Sequence, residues 1–591
     1  MRDPVLGKGA RSRLAEARET YTESCTVPVS KGIAMPTVSA HVAQTIARHI
    51  DHVFGVMGNG NAHFLDALER TTEARYTAMR HESGAVVAAD AHFRAGGGLA
   101  AATATYGAGF TNTLTALAEA VQAHVPLVLV VGDEPTSGPR AWDVDQIALA
   151  SAVGARTYTV GRTDAAATTL IAIEHALSYR VPTVLAIPYD VARLEAGTVP
   201  ATPEPVLPAP MQPTAFTRAA LRELAGALST ARRPLLLAGR GAWLAGAGEA
   251  LGRLADATGA VTSTTALGRG IFPRAEFDLG VTGGFGAAGA MELIRTADVV
   301  VVFGAALNQF TMRFGELFAP GTHVVQVDIA PAATHPHVGG FVRADAAVAA
   351  QLLVDELAVR AASPSGWRES VDLAPLREHE PGAGGDGLTP DGRLDPRSVA
   401  VRIGDLLDSH PSTRDRVVVS DGGHFLGWSN MHWPVASPDR TMMVGTAYQS
   451  IGLGFSSVPG AACAKPDATI VLTTGDGGGL MALADLESAV RVAGGRGLAV
   501  VWNDAAYGAE VNLYGLQGLA REPMLIPEVD FAGLARAVGA DGVVVRTLAD
   551  LDALAMWARM PVEQRPFLLL DCRISGAVIA PYQQEVIRVN S

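Results

Sequence analysis

A glycine-rich stretch, Thr473 to Gly479, carries a single carboxylate, Asp476, directly after an apolar run. Asn503 follows 27 residues after Asp476, at the end of a second apolar run. Both runs are predicted to be buried parallel strands, and a right-handed crossover would bring the ends of such strands together. Carboxylate and amide oxygens suit a hard divalent cation, and a glycine backbone can come close to a phosphate. The spacing indicates a metal–diphosphate site, with an ordinary strand-to-loop turn as the alternative.

A second polar stretch, Arg80-His81-Glu82, ends a predicted strand and opens a predicted helix. The helix after Glu82 consists of small and apolar residues, which indicates that it is buried. A carboxyl group at its start is then poorly solvated, which disfavours its ionised form unless a cation pairs with it. Two interpretations stay open from the residues alone: a functional acid–base group, or a carboxylate that is favoured by the helix dipole.

The elements that position these groups follow an alternation of strands and helices from Pro36 onward. Such an alternation predicts parallel sheets that are covered by helices on both faces. The predicted fold class is α/β, with three doubly wound parallel-sheet domains. In the last of them, strands at 468–472 and 498–502 are predicted to flank a helix from Leu480 to Val492.

Two stretches rich in proline, glycine and charge divide the chain and are predicted to be linkers, at 197–213 and 363–396. The predicted domains therefore cover residues 35–196, 214–362 and 397–591. Residues 1–34 are charged and polar without a period, and we predict a flexible extension there.

Composition limits the classes of function. The chain has 591 residues, 48% of them hydrophobic, which suggests three or four domains at about 150 residues each. Lys and Arg total 46 against 59 Asp and Glu, for a net charge of −13. This balance argues against nucleic-acid binding, so a diphosphate must be held by a local site with a metal ion.

The three cysteines, Cys25, Cys463 and Cys572, are far apart and form neither a disulfide framework nor a zinc pattern. A reducing compartment is the default for such a chain. No apolar run of about 20 residues could span a membrane, and no apolar segment follows the charged N-terminus as in a secretory signal. The sequence predicts a cytoplasmic protein.

Glycine turns also follow strands in the first two units, at Gly55 to Gly60 and at Gly239-Arg240-Gly241. They raise the alternative of a nicotinamide-dependent oxidoreductase. Neither turn contains Gly-x-Gly-x-x-Gly with an acidic residue about 20 positions later, which speaks against that alternative.

Taken together, these stretches resemble the thiamin-diphosphate-dependent 2-oxo acid decarboxylase and carboligase superfamily, in particular its acetohydroxyacid-synthase-like branch. The resemblance covers about residues 36 to 580 and includes the domain order: pyrimidine-binding, middle, diphosphate-binding. Its most specific marks are listed here: Gly475-Asp476-Gly477 with Asn503, Arg80-His81-Glu82, Gly107-Ala108-Gly109-Phe110-Thr111-Asn112 and Ser450-Ile451-Gly452-Leu453-Gly454.

The resemblance implies a cofactor site of thiamin diphosphate with Mg²⁺. The side chains of Asp476 and Asn503 and the carbonyl of Ala505 are implied as metal ligands. The implied cofactor-binding residues are Glu82, Asn112, His424, Gln449, Ile451, Gly475, Asp476, Gly477, Gly478 and Asn503.

The resemblance also implies two catalytic residues, Glu82 and Gln146. Glu82 would hydrogen-bond the pyrimidine N1′ and promote removal of the thiazolium C2 proton. Gln146 would contact the substrate, although its neighbour Asp145 departs from an aromatic residue in the family, which puts synthesis of branched-chain precursors in doubt. In the family this glutamate and the metal site come from different subunits, which implies a homodimer or homotetramer with active sites at the interface.

The implied activity is decarboxylation of a 2-oxo acid and ligation of its acyl unit to a carbonyl acceptor. A simple decarboxylase or carbon–carbon lyase stays open as the alternative within the family, and an inactive cofactor-binding partner outside it. The flavin-binding synthases hold FAD in the middle domain, but Gly304-Ala305-Ala306-Leu307-Asn308 departs from their Arg-containing loop. FAD, an ADP-like nucleotide and no nucleotide therefore all stay open for this domain.

Overall fold

The structure is a computed structural model, and it describes residues 35–590. The predicted flexible extension at 1–34, with Cys25, lies outside the described residues.

The first sheet is entirely parallel and is flanked by helices. Its strands are β1 His52–Gly55, β2 Arg75–Ala78, β3 Ala101–Ala104, β4 Leu127–Asp133, β5 Arg156–Thr159 and β6 Pro182–Pro188. Its helices are α1 Val38–Ala47, α2 Ala62–Thr71, α3 Glu82–Arg94, α4 Ala108–Thr111, α5 Leu114–Gln122, α6 Gln146–Ala152 and α7 Ala165–Tyr179. The strands lie in the order β2-β1-β3-β4-β6-β5.

The second sheet is also parallel throughout. Its strands are β7 Pro234–Ala238, β8 Val261–Thr264, β9 Asp278–Val281, β10 Val299–Phe303, β11 His323–Asp328 and β12 Gly340–Arg343. The helices are α8 Ala215–Thr230, α9 Arg240–Leu244, α10 Gly248–Thr258, α11 Ala288–Arg295 and α12 Ala346–Val359. The strand order is β12-β11-β10-β7-β8-β9.

The third sheet repeats this architecture. Its strands are β13 Arg416–Ser420, β14 Thr441–Met443, β15 Thr469–Gly475, β16 Gly497–Asn503, β17 Asp541–Val545 and β18 Leu568–Arg573. Its helices are α13 Pro396–Ser409, α14 Pro411–Arg414, α15 Leu426–His432, α16 Gly454–Ala464, α17 Asp476–Met481, α18 Leu486–Ala493, α19 Gly508–Glu510, α20 Phe531–Ala537, α21 Asp552–Arg559 and α22 Pro581–Asn590. The order is β14-β13-β15-β16-β18-β17.

The predicted fold class, three doubly wound parallel sheets, is confirmed. Central strands such as β10, β15 and β16 are buried at every residue, as expected for strands covered on both faces. The predicted domain boundaries stay predictions. Helices and strands stop at Pro188 and resume at Ala215, and they stop at Val359 and resume at Pro396 apart from one 3₁₀ turn, Pro375–Arg377.

Two local predictions in the third domain are wrong. The predicted strand at 468–472 runs on to Gly475, so Asp476 begins helix α17 instead of lying in a loop. The predicted helix from Leu480 to Val492 is interrupted by a 3₁₀ turn, Leu483–Asp485. The interruption places the Asp485 carboxylate in the protein interior, where hydroxyl and backbone donors satisfy it.

Across residues 35–590, no helix combines the length and the apolar character that crossing a bilayer requires. Cys572 is buried and Cys463 is half-buried, and neither forms a disulfide. The cytoplasmic location stays a prediction.

The first and third domains meet along helices α3 and α16. Both helices are buried along most of their length. A β-carbon at Gly460 in α16 would lie 1.9 Å from the carbonyl oxygen of Ala88 in α3. The absence of a side chain at Gly460 therefore allows the two helices to approach closely.

A buried ion-pair cluster extends this contact between the first and third domains. Arg94, in α3, donates to Asp90 (Nε–Oδ1, 2.5 Å) and to Glu119 (Nη2–Oε1, 2.9 Å), and all three side chains are no more than 2% exposed. Arg94 also donates to the carbonyl of Met443, at 3.1 Å. Glu119 accepts the N–H of Tyr448, at 2.7 Å. The cluster therefore ties the backbone of the third domain to two helices of the first.

We expect Arg94→Met to destabilise the protein by about 3–5 kcal/mol, because it leaves two buried carboxylates without their cation. The measurement is urea unfolding followed by circular dichroism. The matched control is Arg70→Met, which removes a partner of Asp66 from an exposed pair with the same i,i+4 spacing. Equal unfolding midpoints for the two variants would contradict the stabilising role of the cluster.

Candidate active site

The carboxyl ends of β15 and β16 carry the two side chains of the predicted metal site. Asp476 begins α17 and Asn503 ends β16. The two strands are adjacent, with Gly475 opposite Trp502. Asp476 is 3% exposed and Asn503 is fully buried. The fold therefore holds a carboxylate and an amide at neighbouring strand ends, shielded from water.

One oxygen on each of these side chains lacks a protein partner. Within residues 35–590, neither Asp476 Oδ2 nor Asn503 Oδ1 accepts a hydrogen bond. The orientation of the Asn503 amide is fixed by its other end, because Nδ2 donates to Asp571 (2.9 Å) and to the carbonyl of Val529 (3.2 Å). Buried oxygens without donors are costly unless a cation takes them. This pair fits the requirement of a divalent metal ion.

Ala505 follows Asn503 in a left-handed conformation, with a φ of 58° that is uncommon for a residue with a side chain. Its carbonyl accepts the N–H of Ile526 at 2.9 Å. A carbonyl oxygen has a second lone pair, so this contact leaves room for a metal bond.

Burial, together with the nearby Asp504 carboxylate, raises the pKa of Asp476 to about 7, although the N–H groups of Gly477 and Ala505 act to lower it. A bound cation favours the ionised form of such a group. Within residues 35–590, no three His, Cys, Asp or Glu side chains converge as a metal site, so a metal ion at Asp476 would need amide or carbonyl oxygens as further ligands. The donor set at Asp476, all oxygen atoms, suits Mg²⁺.

The glycines around Asp476 let other side chains pack closely against the start of α17. Gly475 precedes α17 and offers no capping side chain, and the N–H of Gly477 donates to Asp476 Oδ1 at 3.0 Å. A β-carbon at Gly477 would lie 2.7 Å from the ring of Tyr507, and one at Gly478 would lie 2.7 Å from Asp421 Oδ2. Uncapped N–H groups at a helix start suit the oxygens of a diphosphate.

Asp421 ties three parts of this site together and was not predicted from the sequence. Its Oδ1 accepts the N–H groups of Gly422 (2.8 Å), Gly452 (3.0 Å) and Leu453 (3.2 Å). Its Oδ2 accepts the Thr474 hydroxyl at 3.0 Å. Burial raises the pKa of Asp421, and these donors lower it. The carboxylate thus fixes the turn after β13, the turn before α16 and strand β15 relative to one another.

His424 is buried beside the segment that follows Asn503, since a β-carbon at Gly508 would lie 3.4 Å from its Nδ1, and it is held by the C-terminal segment. Its Nε2 accepts the N–H of Ala580 at 3.0 Å, which places the proton of the neutral ring on Nδ1. Burial lowers the pKa of His424 to about 4, so the ring is neutral near pH 7. The hydroxyl of Tyr582 donates to the carbonyls of His424 (2.8 Å) and Gly423 (3.1 Å). His424 is therefore a fixed, neutral hydrogen-bond donor.

Gln449 and Ile451 lie in the turn that precedes α16. Gln449 has a φ of 59°, a left-handed conformation that its side chain disfavours, and the adjacent Ser450 donates its N–H to the carbonyl of Gly445 at 2.9 Å. Ile451 packs against Gly422, since a β-carbon there would lie 3.0 Å from its Cγ2. The turn is thereby brought against the loop that carries His424.

Glu82 and Asn112 form a second group, at the carboxyl edge of the first sheet. Asn112 donates from Nδ2 to Glu82 Oε2 at 3.0 Å. A β-carbon at Gly109 would lie 3.4 Å from Glu82 Oε1. The Glu82 side chain is half-buried in the single chain, less shielded than the sequence predicts. Its polar contacts come from the loop that the sequence singled out.

Gln146 uses its amide within its own domain. Its Oε1 accepts the N–H of Gly107 at 2.9 Å, and its Nε2 donates to the carbonyl of Gly132 (3.0 Å) and to Asp133 (3.1 Å). The side chain is buried. These contacts position the loop that begins at Gly107, and a substrate contact of Gln146 stays a prediction.

The predicted site residues thus fall into two groups, one at the edge of the first sheet and one at the edge of the third. In the part of the chain that the structure describes, Glu82 and Asn112 make no hydrogen bond with the metal-loop group, which consists of Asp476, Asn503 and His424.

The sequence missed Asp421 and Tyr582. Asp421 could have been noticed, because it directly follows strand β13 and opens the stretch that carries His424, whereas Tyr582 reaches the site only through the path of the C-terminal helix.

The middle sheet has a cleft of about 520 Å³ lined by Leu307, Asn308, Gln309, Phe314, Thr334, His335 and Pro336. Leu307 and Asn308 in this lining belong to the loop at 304–308, whose sequence departs from the Arg-containing loop of the flavin-binding synthases. FAD therefore stays a prediction, open beside an ADP-like nucleotide and no nucleotide.

Comparison with protein families supports the predicted resemblance. The N-terminal TPP-binding domain of thiamine pyrophosphate enzymes matches residues 36–151. The central domain of these enzymes matches residues 221–353. Their C-terminal TPP-binding domain matches residues 421–572. The three matches follow the predicted domain order, and the last contains the Asp476 and Asn503 site.

Curated relatives agree with the family match. The acetolactate synthase large subunit of Parasynechococcus marenigrum (strain WH8102) is 28% identical over 548 residues, which cover 86% of this chain and 83% of the relative. Isozyme 1 large subunit of acetolactate synthase from Escherichia coli (strain K12) is 28% identical over 453 residues, 74% of this chain and 76% of the relative. Sulfoacetaldehyde acetyltransferase of Alcaligenes xylosoxydans xylosoxydans is 28% identical over 611 residues, 95% of this chain and 96% of the relative. The chain belongs to the thiamine pyrophosphate enzymes.

Proposed function

We propose that the protein decarboxylates a 2-oxo acid and joins the resulting acyl unit to a carbonyl acceptor, with thiamin diphosphate and Mg²⁺ as cofactors. The observation that carries the proposal is the pair of buried oxygens without protein partners within residues 35–590, Asp476 Oδ2 at the start of α17 and Asn503 Oδ1 at the end of β16. The similarity to acetolactate synthases supports the ligation reaction.

The chain's own groups bind and orient the cofactor. Asp476, Asn503 and the carbonyl of Ala505 hold the metal ion, and the N–H groups of Gly477 and Gly478 meet the diphosphate. His424 donates its Nδ1 proton within the same site. Thiamin diphosphate, when bound, supplies the electron sink that decarboxylation needs.

Glu82 moves a proton at the pyrimidine ring of the cofactor. Asn112 orients its carboxylate, and the Gly109 backbone leaves space beside Oε1. A carboxyl group in this position acts as general acid and base when water is excluded and its partner lies within hydrogen-bond reach.

We further propose that two copies of the chain build each site, as a homodimer or within a homotetramer. No hydrogen bond joins the Glu82 group to the metal-loop group within the described residues of one chain. Large apolar side chains are exposed beside each group: Met57 (65%) and Trp142 (63%) at the edge of the first sheet, and Met481 at the end of α17. A second copy that covers these side chains would also bring the two groups together.

The reaction itself is tested by incubation with pyruvate and a panel of aldehydes, in the presence of thiamin diphosphate and Mg²⁺. We expect CO₂ release and an acyloin product detected by mass spectrometry. Product consisting of aldehyde alone would overturn ligation and favour simple decarboxylation.

Sulfoacetaldehyde is tested as a second substrate in the same assay, because the sulfoacetaldehyde acetyltransferase relative matches nearly the whole chain. Turnover of sulfoacetaldehyde without CO₂ release would mean that sulfoacetaldehyde, and not a 2-oxo acid, is the substrate.

We expect Asp476→Asn to abolish most of the increase in melting temperature that thiamin diphosphate plus Mg²⁺ causes, because the variant loses the charged metal ligand. The measurement is differential scanning fluorimetry with and without both cofactors. The control is Asp278→Asn, which changes a carboxylate that accepts the Gly280 N–H in the middle domain. An undiminished cofactor shift in Asp476→Asn would remove this residue from the metal site.

We expect Glu82→Gln to slow exchange of the thiazolium C2 proton of bound thiamin diphosphate by about 100-fold, the lower end of the range for loss of a general acid–base group. The cofactor dissociation constant should change by less than about threefold, because the amide keeps the size of the side chain. Exchange is followed by NMR in D₂O. Glu73→Gln, at an exposed glutamate of the same domain, serves as the control. Unchanged exchange in Glu82→Gln would refute the proton-transfer role.

A further inference from the structure

The segment that follows the metal-binding helix α17 contacts the turn that precedes Glu82. Asp485 accepts the N–H of Arg80 on Oδ1, at 3.0 Å. Arg491 donates from Nη2 to the carbonyl of Ala78, at 2.5 Å. Glu487 pairs with the side chain of Arg80, at 2.8 Å between Oε2 and Nε. Three side chains of one segment, residues 485–491, therefore hold the end of β2 and the residues just before Glu82.

Asp485 is itself firmly held. Its carboxylate is buried, and it accepts the hydroxyls of Ser488 (2.9 Å) and Ser456 (2.8 Å) in addition to the Arg80 N–H. A buried carboxylate with three donors has little freedom to change its rotamer, because every alternative leaves polar groups without partners. The position of the Arg80 N–H is thereby tied to the third domain.

Helix α3 carries a gap that receives this carboxylate. A β-carbon at Gly84, two residues after Glu82, would lie 1.8 Å from Asp485 Oδ2. Only a residue without a side chain allows this approach. Asp485 thus contacts the backbone on both sides of Glu82, before it at Arg80 and after it at Gly84.

We propose that Asp485 is a positioning residue for Glu82, and that segment 485–491 links Glu82 to the metal-binding helix of the same chain. The proposal rests on the proposed function, in which Glu82 transfers a proton. A displacement of about 1 Å in a catalytic group can lower a rate by as much as 10²-fold, even when the altered residue never touches the substrate. Loss of Asp485 acts through such a displacement of the turn.

The experiment compares C2-proton exchange of bound thiamin diphosphate with the dissociation constant of thiamin diphosphate at saturating Mg²⁺. We expect Asp485→Ala to slow exchange by about 10-fold or more, within the range for a displaced catalytic group, and to change the dissociation constant by less than about twofold. Asp485→Asn keeps an oxygen that can accept the Arg80 N–H, and we expect it to retain exchange within about threefold of the parent.

Ser456→Ala is the matched control, because it removes a different donor from the same carboxylate and leaves the Arg80 contact in place. We expect it to lower the melting temperature but to leave exchange within about twofold. Arg491→Ala is a second test at a partly exposed position, where loss of folding is not expected. It should slow exchange by about threefold, because it releases the Ala78 carbonyl.

If Asp485→Ala and Ser456→Ala slowed exchange in the same proportion to the melting temperature that each variant loses, Asp485 would be only a structural residue and the proposal would be overturned. Unchanged exchange in both Asp485→Ala and Arg491→Ala would do the same. Failure of the proposed function has a different signature, because Glu82→Gln itself would then leave exchange unchanged.

Discussion

A carboxylate that leaves water must be given hydrogen-bond donors or a cation, and this constraint shapes the third domain. Asp421, Asp485 and Asp571 are buried, and backbone or side-chain donors reach both oxygens of each. Asp476 differs, because one of its oxygens has no donor within residues 35–590. The satisfied aspartates fix the loops around the site, and under the proposed function the unsatisfied one binds the metal ion. The same chemistry thus serves two purposes within one domain.

The topology explains why the polar groups collect where they do. In a parallel sheet the carboxyl ends of the strands share one edge, and the loops that leave them face the same solvent volume. In the first domain, Glu82, Asn112 and Gln146 all follow strand ends. In the third domain, the His424 loop, Asp476 and Asn503 do the same. Under the proposed function, each domain would supply half of a site, with the acid–base group on one and the metal ligands on the other.

The sequence predicted those parts of the molecule that depend on local pattern. The alternation of apolar runs and helices was enough for three parallel sheets, and the spacing of Asp476 and Asn503 followed from two successive strand ends. The pattern of apolar residues did not reveal the break before α18, because the helix signal on both sides of Asp485 is continuous. The break exists because a distant turn at Arg80, about 400 residues earlier, supplies a donor for that carboxylate. Gln146 shows the same limit. Its residue type indicated a functional position, but its hydrogen bonds to Gly107 and Asp133 depend on the path of two loops and could not be predicted from the sequence.

The gap at Gly84 has a consequence for how an assembly of two chains behaves. Helix α17 of a chain would serve one site of the pair, while Glu82 of that chain would serve the other. A rigid segment between them makes the two sites mechanically dependent, so that occupancy of one alters the free energy of binding at the other, and by thermodynamic reciprocity the converse also holds. A half-loaded dimer would then be asymmetric even though its two chains are identical.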